Sequence, residues 1–159
     1  MDELKFNFVV AAIGMTTGAT ALMSVAPAFA DLPGRHPAFL HGLSDLRAAR
    51  WMLEHRPGDA QISGHEDVAV QQIDATIQDL KAASIDDGKD LHDHPAVDLP
   101  PSHPGRLHRA LELLRKVHKD VNREEDDPSV KELKHRSLEH IDAAARQTEA
   151  AITDVEHHS

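Results

Sequence analysis

The stretch Ile85 to Arg106, IDDGKDLHDHPAVDLPPSHPGR, decides how this chain folds. It separates two strongly helical segments and is far longer than a helix-to-helix connection, which usually takes about 2–8 residues. A link of this length is commonly functional or disordered. It also gathers polar chemistry: Asp86, Asp87, Asp90, Asp93 and Asp98 stand with His92, His94 and His103.

Helical periodicity runs on both sides of this link. Before it, Val70, Ile73, Ile77, Leu80 and Ser84 recur at spacings of three and four, predicting a helix over about 65–84. Glu66 and Asp67 open that helix and Lys81 closes it, as the helix dipole favours. Further upstream, Pro37 suits a first helical turn, and Phe39, Leu43, Leu46 and Leu53 share a face. That predicts a helix over about 37–56, stopped by Pro57-Gly58. After the link, Leu107, Ala110, Leu114, Val117 and Val121 make a near-heptad seam over about 105–123. An acidic turn, Glu124 to Pro128, leads to a fourth helix over about 129–156. Its seam is Val130, Leu133, Ser137, Ile141, Ala144, Thr148, Ala151 and Val155.

Four amphipathic helices, each too polar to stand alone, predict an all-α four-helix bundle in one domain, residues 31–159. Composition agrees. The chain has no Tyr, and three of its four Phe fall in the first thirty residues, so the core is aliphatic and unlike that of a β-sandwich. The short first and third connections make two antiparallel hairpins. The long link can cap one end of an up-down-up-down bundle or cross the bundle's length. Twenty extended residues reach roughly 66–70 Å, enough for either. The cap, and with it up-down-up-down order, is the expectation.

Residues 1–30 read as a cleaved signal peptide. Lys5 precedes a mostly apolar run from Phe6 to Val25, and Ala28-Phe29-Ala30 has the small-x-small pattern of a peptidase site. Gly14, Thr16, Thr17, Gly18 and Thr20 interrupt the run, which favours cleavage over a membrane anchor. The protein is therefore expected to be periplasmic or secreted, with no stable membrane insertion afterwards. The net charge of −10 disfavours nucleic acid, whose phosphates are held by Lys and Arg. The absence of Cys excludes disulfides, thiolate metal sites and covalently attached c-type haem.

The chain carries 13 His, all beyond the leader. If the second hairpin turns near Asp126, Glu112 and His140 fall at one level, with His108 one turn away. In an up-down-up-down bundle His41 and Asp45 join them, so the expected metal slab is His41, Asp45, His108, Glu112 and His140. His92 and His94 offer a second, more exposed candidate in the link. Imidazole and carboxylate ligands suit Zn, Cu or Ni. The competing reading of each residue is a hydrogen-bonded network in which Arg47, Arg50, Arg106, Arg109 and Arg136 pair with carboxylates. Other metal patterns fit poorly. Only Glu132 and His135 match a di-iron motif, Gly88 comes too early for an EF-hand loop, and haem bound through Met52 would lack an aromatic lining. No nucleophile–base arrangement and no phosphate loop are present, so no catalytic residue is expected.

The segments HPAFLHGLSDLRAARWML (His36 to Leu53), IDDGKDLHDHP (Ile85 to Pro95) and GRLHRALELL (Gly105 to Leu114) resemble a group of exported bacterial all-helical proteins. The resemblance implies export and an all-α fold, and it transfers no functional residue. The expected function is a non-enzymatic periplasmic protein that binds a transition-metal ion through His and carboxylates, as a buffer or carrier. The alternative is a metal-free interaction or envelope-stress protein whose polar network is structural. Mutation of His108 and His140 separates the two.

Overall fold

The computed structural model of the chain describes residues 36–55, 63–84, 88–98, 100, 102–124 and 127–157. The predicted leader, the Pro57-Gly58 stop and the acidic pair Glu125-Asp126 lie outside the described residues. Four helices account for the fold: α1 (Pro37–Glu54), α2 (Gly64–Ser84), α3 (His103–Arg123) and α4 (Lys131–His157). The all-α four-helix bundle is as the periodicity requires.

Three of the four helices start where local chemistry supplies a cap or a fixed dihedral. Pro37 occupies the first turn of α1, where a missing N–H costs nothing. The Ser102 hydroxyl accepts from the Gly105 N–H at 3.2 Å, so α3 opens at His103, slightly before the position expected from the seam. Before α4, the Asp127 carboxylate accepts from the backbone and hydroxyl of Ser129, and a turn over 128–130 delays the helix to Lys131.

The seams meet in one core. Phe39, Leu43, Leu46, Met52 and Leu53 of α1 pack with Ile73, Ile77 and Leu80 of α2 and with Leu107, Leu114, Val117 and Val121 of α3. α4 contributes Ile141 together with small residues, Ser137, Ala144, Thr148 and Ala151, all buried. Gly42 lets α1 lie close to two neighbours. A Cβ placed there would stand 3.4 Å from Val117 and 3.5 Å from Leu80.

The order of the helices departs from expectation. α1 neighbours α2 and α3, and α4 neighbours the same two, so α2 and α3 face each other across a diagonal. Two contacts per neighbouring pair fix the directions. Gly42 faces Leu80 and Arg50 meets Asp74 between α1 and α2, and Glu124 faces His36 while Lys116 meets Asp45 between α3 and α1. His65 meets Gln147 and Asp79 meets Arg136 between α2 and α4, and His108 faces Glu156 and His118 faces Asp142 between α3 and α4. All four neighbouring pairs are antiparallel. In chain order the bundle therefore runs up-down-down-up, which corrects the expected up-down-up-down arrangement.

The long link is then a crossover and not a cap. α2 and α3 are parallel, so the chain must travel back along a 21-residue helix, roughly 32 Å, before α3 can begin. The physical reason lies on α1. Arg47 and Arg50 are buried, and both reach into the link. Their donors reward a strap laid along the bundle, where a cap would leave them without those partners.

Candidate functional site

Two polar regions are built by this topology: the crossing strap on α1, and the end of the bundle where α2 and α3 begin.

The strap is held chiefly by arginine. Arg47 Nε donates to the Asp90 carbonyl at 2.9 Å, and its Nη2 donates to the Lys89 carbonyl at 3.4 Å. Lys81 of α2 donates to the same Lys89 carbonyl at 2.9 Å. Arg50 joins three partners. Nε donates to Asp74 Oδ1 at 2.6 Å, and Nη1 donates to Glu54 and lies 3.1 Å from His92 Nδ1. A guanidinium has only donors, so this contact requires a lone pair on His92 Nδ1. Within the strap, Asp90 Oδ1 accepts from the His92 N–H at 2.8 Å. That bond holds the Asp90 carboxyl below its ordinary value against the cost of desolvation, with the positive charges of Lys81 and Arg50 adding to the effect. His94 stacks on Trp51 with ring centroids 4.4 Å apart, and His55 lies at the same distance from that indole. A small cleft of about 90 Å³ under the strap is lined by Ser44, Arg47, Lys89, Asp93, His94 and Pro95.

The second region is buried. His103, the first residue of α3, places Nε2 3.1 Å from both carboxylate oxygens of Glu66 in the first turn of α2. Glu66 is fully buried. One turn further along α3, the Arg106 guanidinium is also buried, and its Nη1 donates to the Pro100 carbonyl at 3.4 Å. The opposite end has a matching clamp. His36 places Nδ1 3.5 Å from Glu124 and Nε2 3.7 Å from Asp127, while Glu124 Oε2 caps the Ala38 N–H at 2.9 Å.

The residues expected in a metal slab are dispersed. His41 is exposed on the first turns of α1. Asp45 accepts from Lys116 Nζ at 2.6 Å, which draws the lysine pKa upward. His108 faces Glu156 at 3.4 Å, Glu112 accepts from Arg109 at 2.7 Å, and His140 Nδ1 lies 2.7 Å from the Gln72 side-chain oxygen. The slab fails on register. The α3–α4 hairpin pairs His118 with Asp142 and His108 with Glu156, so His140 stands near the level of His118 and Asp120, well below Glu112. The parallel run of α3 with α2 then sends His108 to the end of the bundle away from His41. In the strap, His92 is tied to Arg50 and faces Glu54, and His94 is tied to Trp51. Among the described residues no three His, Asp or Glu side chains come together in a way that could hold a metal ion.

The buried Glu66, the role of His103 and the burial of Arg106 are not visible in the sequence. All three sit beside Gly, Pro or Ser in segments that read as helix ends, where polar residues ordinarily face water. The one signal is PSHPGR itself: a His and an Arg three apart share a helix face, and Leu107 marks that side as inward.

Among the described residues no helix is long and apolar enough to cross a membrane. No family model, no curated protein and no solved structure matches the chain.

Proposed function

We propose that the chain is a non-enzymatic exported interaction protein of the envelope-stress kind, whose His, Asp and Arg network serves the fold and the surface charge and binds no resident metal. The observation that carries this reading is the Arg50 junction. One guanidinium engages Asp74, Glu54 and His92, so the polar residues of the strap are committed to holding α1, α2 and the crossover together. Imidazoles elsewhere are engaged in the same pairwise manner. His36, His65, His92, His103, His108, His118 and His135 each face a carboxylate within 4 Å.

The surface supports a polar partner over an apolar one. Among the described residues Val68 is the exposed large hydrophobic side chain, and a lone one marks no docking patch. Its net charge of −10 favours a basic partner over an acidic one.

The test is metal analysis of the purified chain followed by calorimetric titration with Zn²⁺ and Cu²⁺. Weak, multi-site binding that is unchanged in a His108→Ala, His140→Ala double variant is the expected result. Stoichiometric sub-micromolar binding that vanishes in that variant would instead establish a metal carrier.

A further inference from the structure

Arg106 is 4% exposed, yet most of its guanidinium has nothing to bond. Nη1 donates to the Pro100 carbonyl at a long 3.4 Å. Nε and Nη2 are sealed from solvent and meet no acceptor. These two atoms form one edge of the guanidinium. Nε–H and the adjacent Nη2–H are parallel donors, spaced to receive the two oxygens of a carboxylate or a phosphate. A guanidinium stays charged at every accessible pH, so its burial needs a compensating anion. The buried anion at this end, Glu66, is engaged by His103. The position sharpens the demand, because Arg106 lies in the first turn of a 21-residue helix, where the helix dipole is positive.

We propose that the Nε/Nη2 edge of Arg106 is a receptor for an oxyanion, carboxylate or phosphate, that docks on the first turn of α3. Pro100 adjoins this site, its carbonyl accepting from Nη1. A Cβ at position 105 would stand 3.0 Å from Pro100 Cβ and 2.9 Å from Ser102 Oγ, so Pro100 rests on the helix start because residue 105 is glycine. An entering oxyanion gives Nε and Nη2 a bidentate, charge-assisted pair where they now have no acceptor. This assignment goes beyond the interaction reading, since it names a ligand chemistry and one residue that receives it.

The experiment is thermal unfolding of the full chain in chloride, acetate, phosphate and sulfate at matched ionic strength, for the parent, Arg106→Met and Arg106→Lys. Phosphate and sulfate raise the Tm of most proteins by exclusion from their surface, so the informative quantity is the parent's gain beyond that of Arg106→Met. A saturable extra gain of roughly 4 °C or more is expected in at least one oxyanion. Arg106→Lys, which keeps the charge and loses the fork, should retain less than half of it. A gain in acetate points to a carboxylate source, and a gain in phosphate alone points to a phosphoryl source. In chloride Arg106→Met should be at least as stable as the parent, because the uncompensated charge is gone. Equal gains in parent and Arg106→Met mean exclusion alone and overturn the proposal. A loss of stability in chloride as large as that in oxyanion means the chain satisfies its own guanidinium, and this also overturns it. If Arg106→Met does not fold, calorimetric titration of the parent decides: no saturable heat with phosphate or acetate overturns the site.

Discussion

His103 Nε2 lies 3.1 Å from each oxygen of the Glu66 carboxylate, linking the starts of two helices that are diagonal in the bundle. α2 and α3 are not direct packing neighbours, so this pair is a polar link made across the diagonal. Glu66 is fully buried, and removing a hydrogen-bond partner from a buried polar group costs about 1–3 kcal/mol. His103→Ala should therefore destabilise the chain by about that amount in urea unfolding. Glu66→Gln, which keeps the shape and gives up the charge, should cost less. A loss below about 0.5 kcal/mol for His103→Ala would show that the pair does not hold the bundle end.

Arg50 predicts a second large effect. It is buried while Asp74 is partly open to water, so Arg50→Ala should cost about 1–3 kcal/mol, less than a fully enclosed pair. Trp51 is the single tryptophan and stacks on His94 of the strap, so its fluorescence reports strap docking. Arg50→Ala should shift that emission at denaturant concentrations where the helical circular dichroism is still intact. Coincident transitions for the two probes would mean that the strap is not separately held.

Asp90 gives a pH dependence of definite sign. Its folded carboxyl lies below the ordinary value of 3.8, first because of the His92 N–H bond. A depressed folded value contributes stability that is present above the unfolded value and is lost as pH falls through the folded one. Strap docking followed by Trp51 emission should weaken from about pH 4 downward, beneath the range in which imidazoles titrate. Asp90→Asn keeps an acceptor oxygen and should flatten the slope in that window. An unchanged slope would assign the acid response to other carboxylates.

Asp45 and Lys116 predict a small effect. The bond is short, at 2.6 Å, but the lysine is mostly exposed, and exposed pairs contribute about 0.2–1 kcal/mol. Asp45→Ala should stay within that range and leave Zn²⁺ binding unaltered. A larger fall in metal affinity would return Asp45 to a ligand role.

Gly42 predicts a gain. Its absent Cβ would meet Val117 at 3.4 Å and Leu80 at 3.5 Å, ordinary contact distances. Gly42→Ala should stabilise α1 by up to about 1 kcal/mol through helix propensity. Gly42→Leu should destabilise, because a longer side chain must push α1 off both neighbours. A destabilising Ala variant would show that the α1–α3 contact is tighter than its spacing.

What was legible in the sequence is the part that depends on local periodicity. The four apolar seams, Pro37, and the buried sets around Leu43, Ile77, Leu114 and Ile141 follow from 3.6-residue spacing, which acts within a few residues. Burial of Arg47 and Arg50 was not legible, because an arginine on a helix reads as solvent-facing unless a distant segment supplies its acceptors. Glu66 and His103 are 37 residues apart, and nothing local marks them as partners.

Side-chain spacing along the chain is enough to set four helices with one apolar stripe each. Long-range packing sets the parallel, diagonal placement of α2 and α3, the crossing of the link and the dispersal of the histidines into pairs. Those outcomes depend on hairpin register and on which distant carbonyls and carboxylates satisfy buried arginines. A slip of a few residues leaves every seam intact and moves every polar partner.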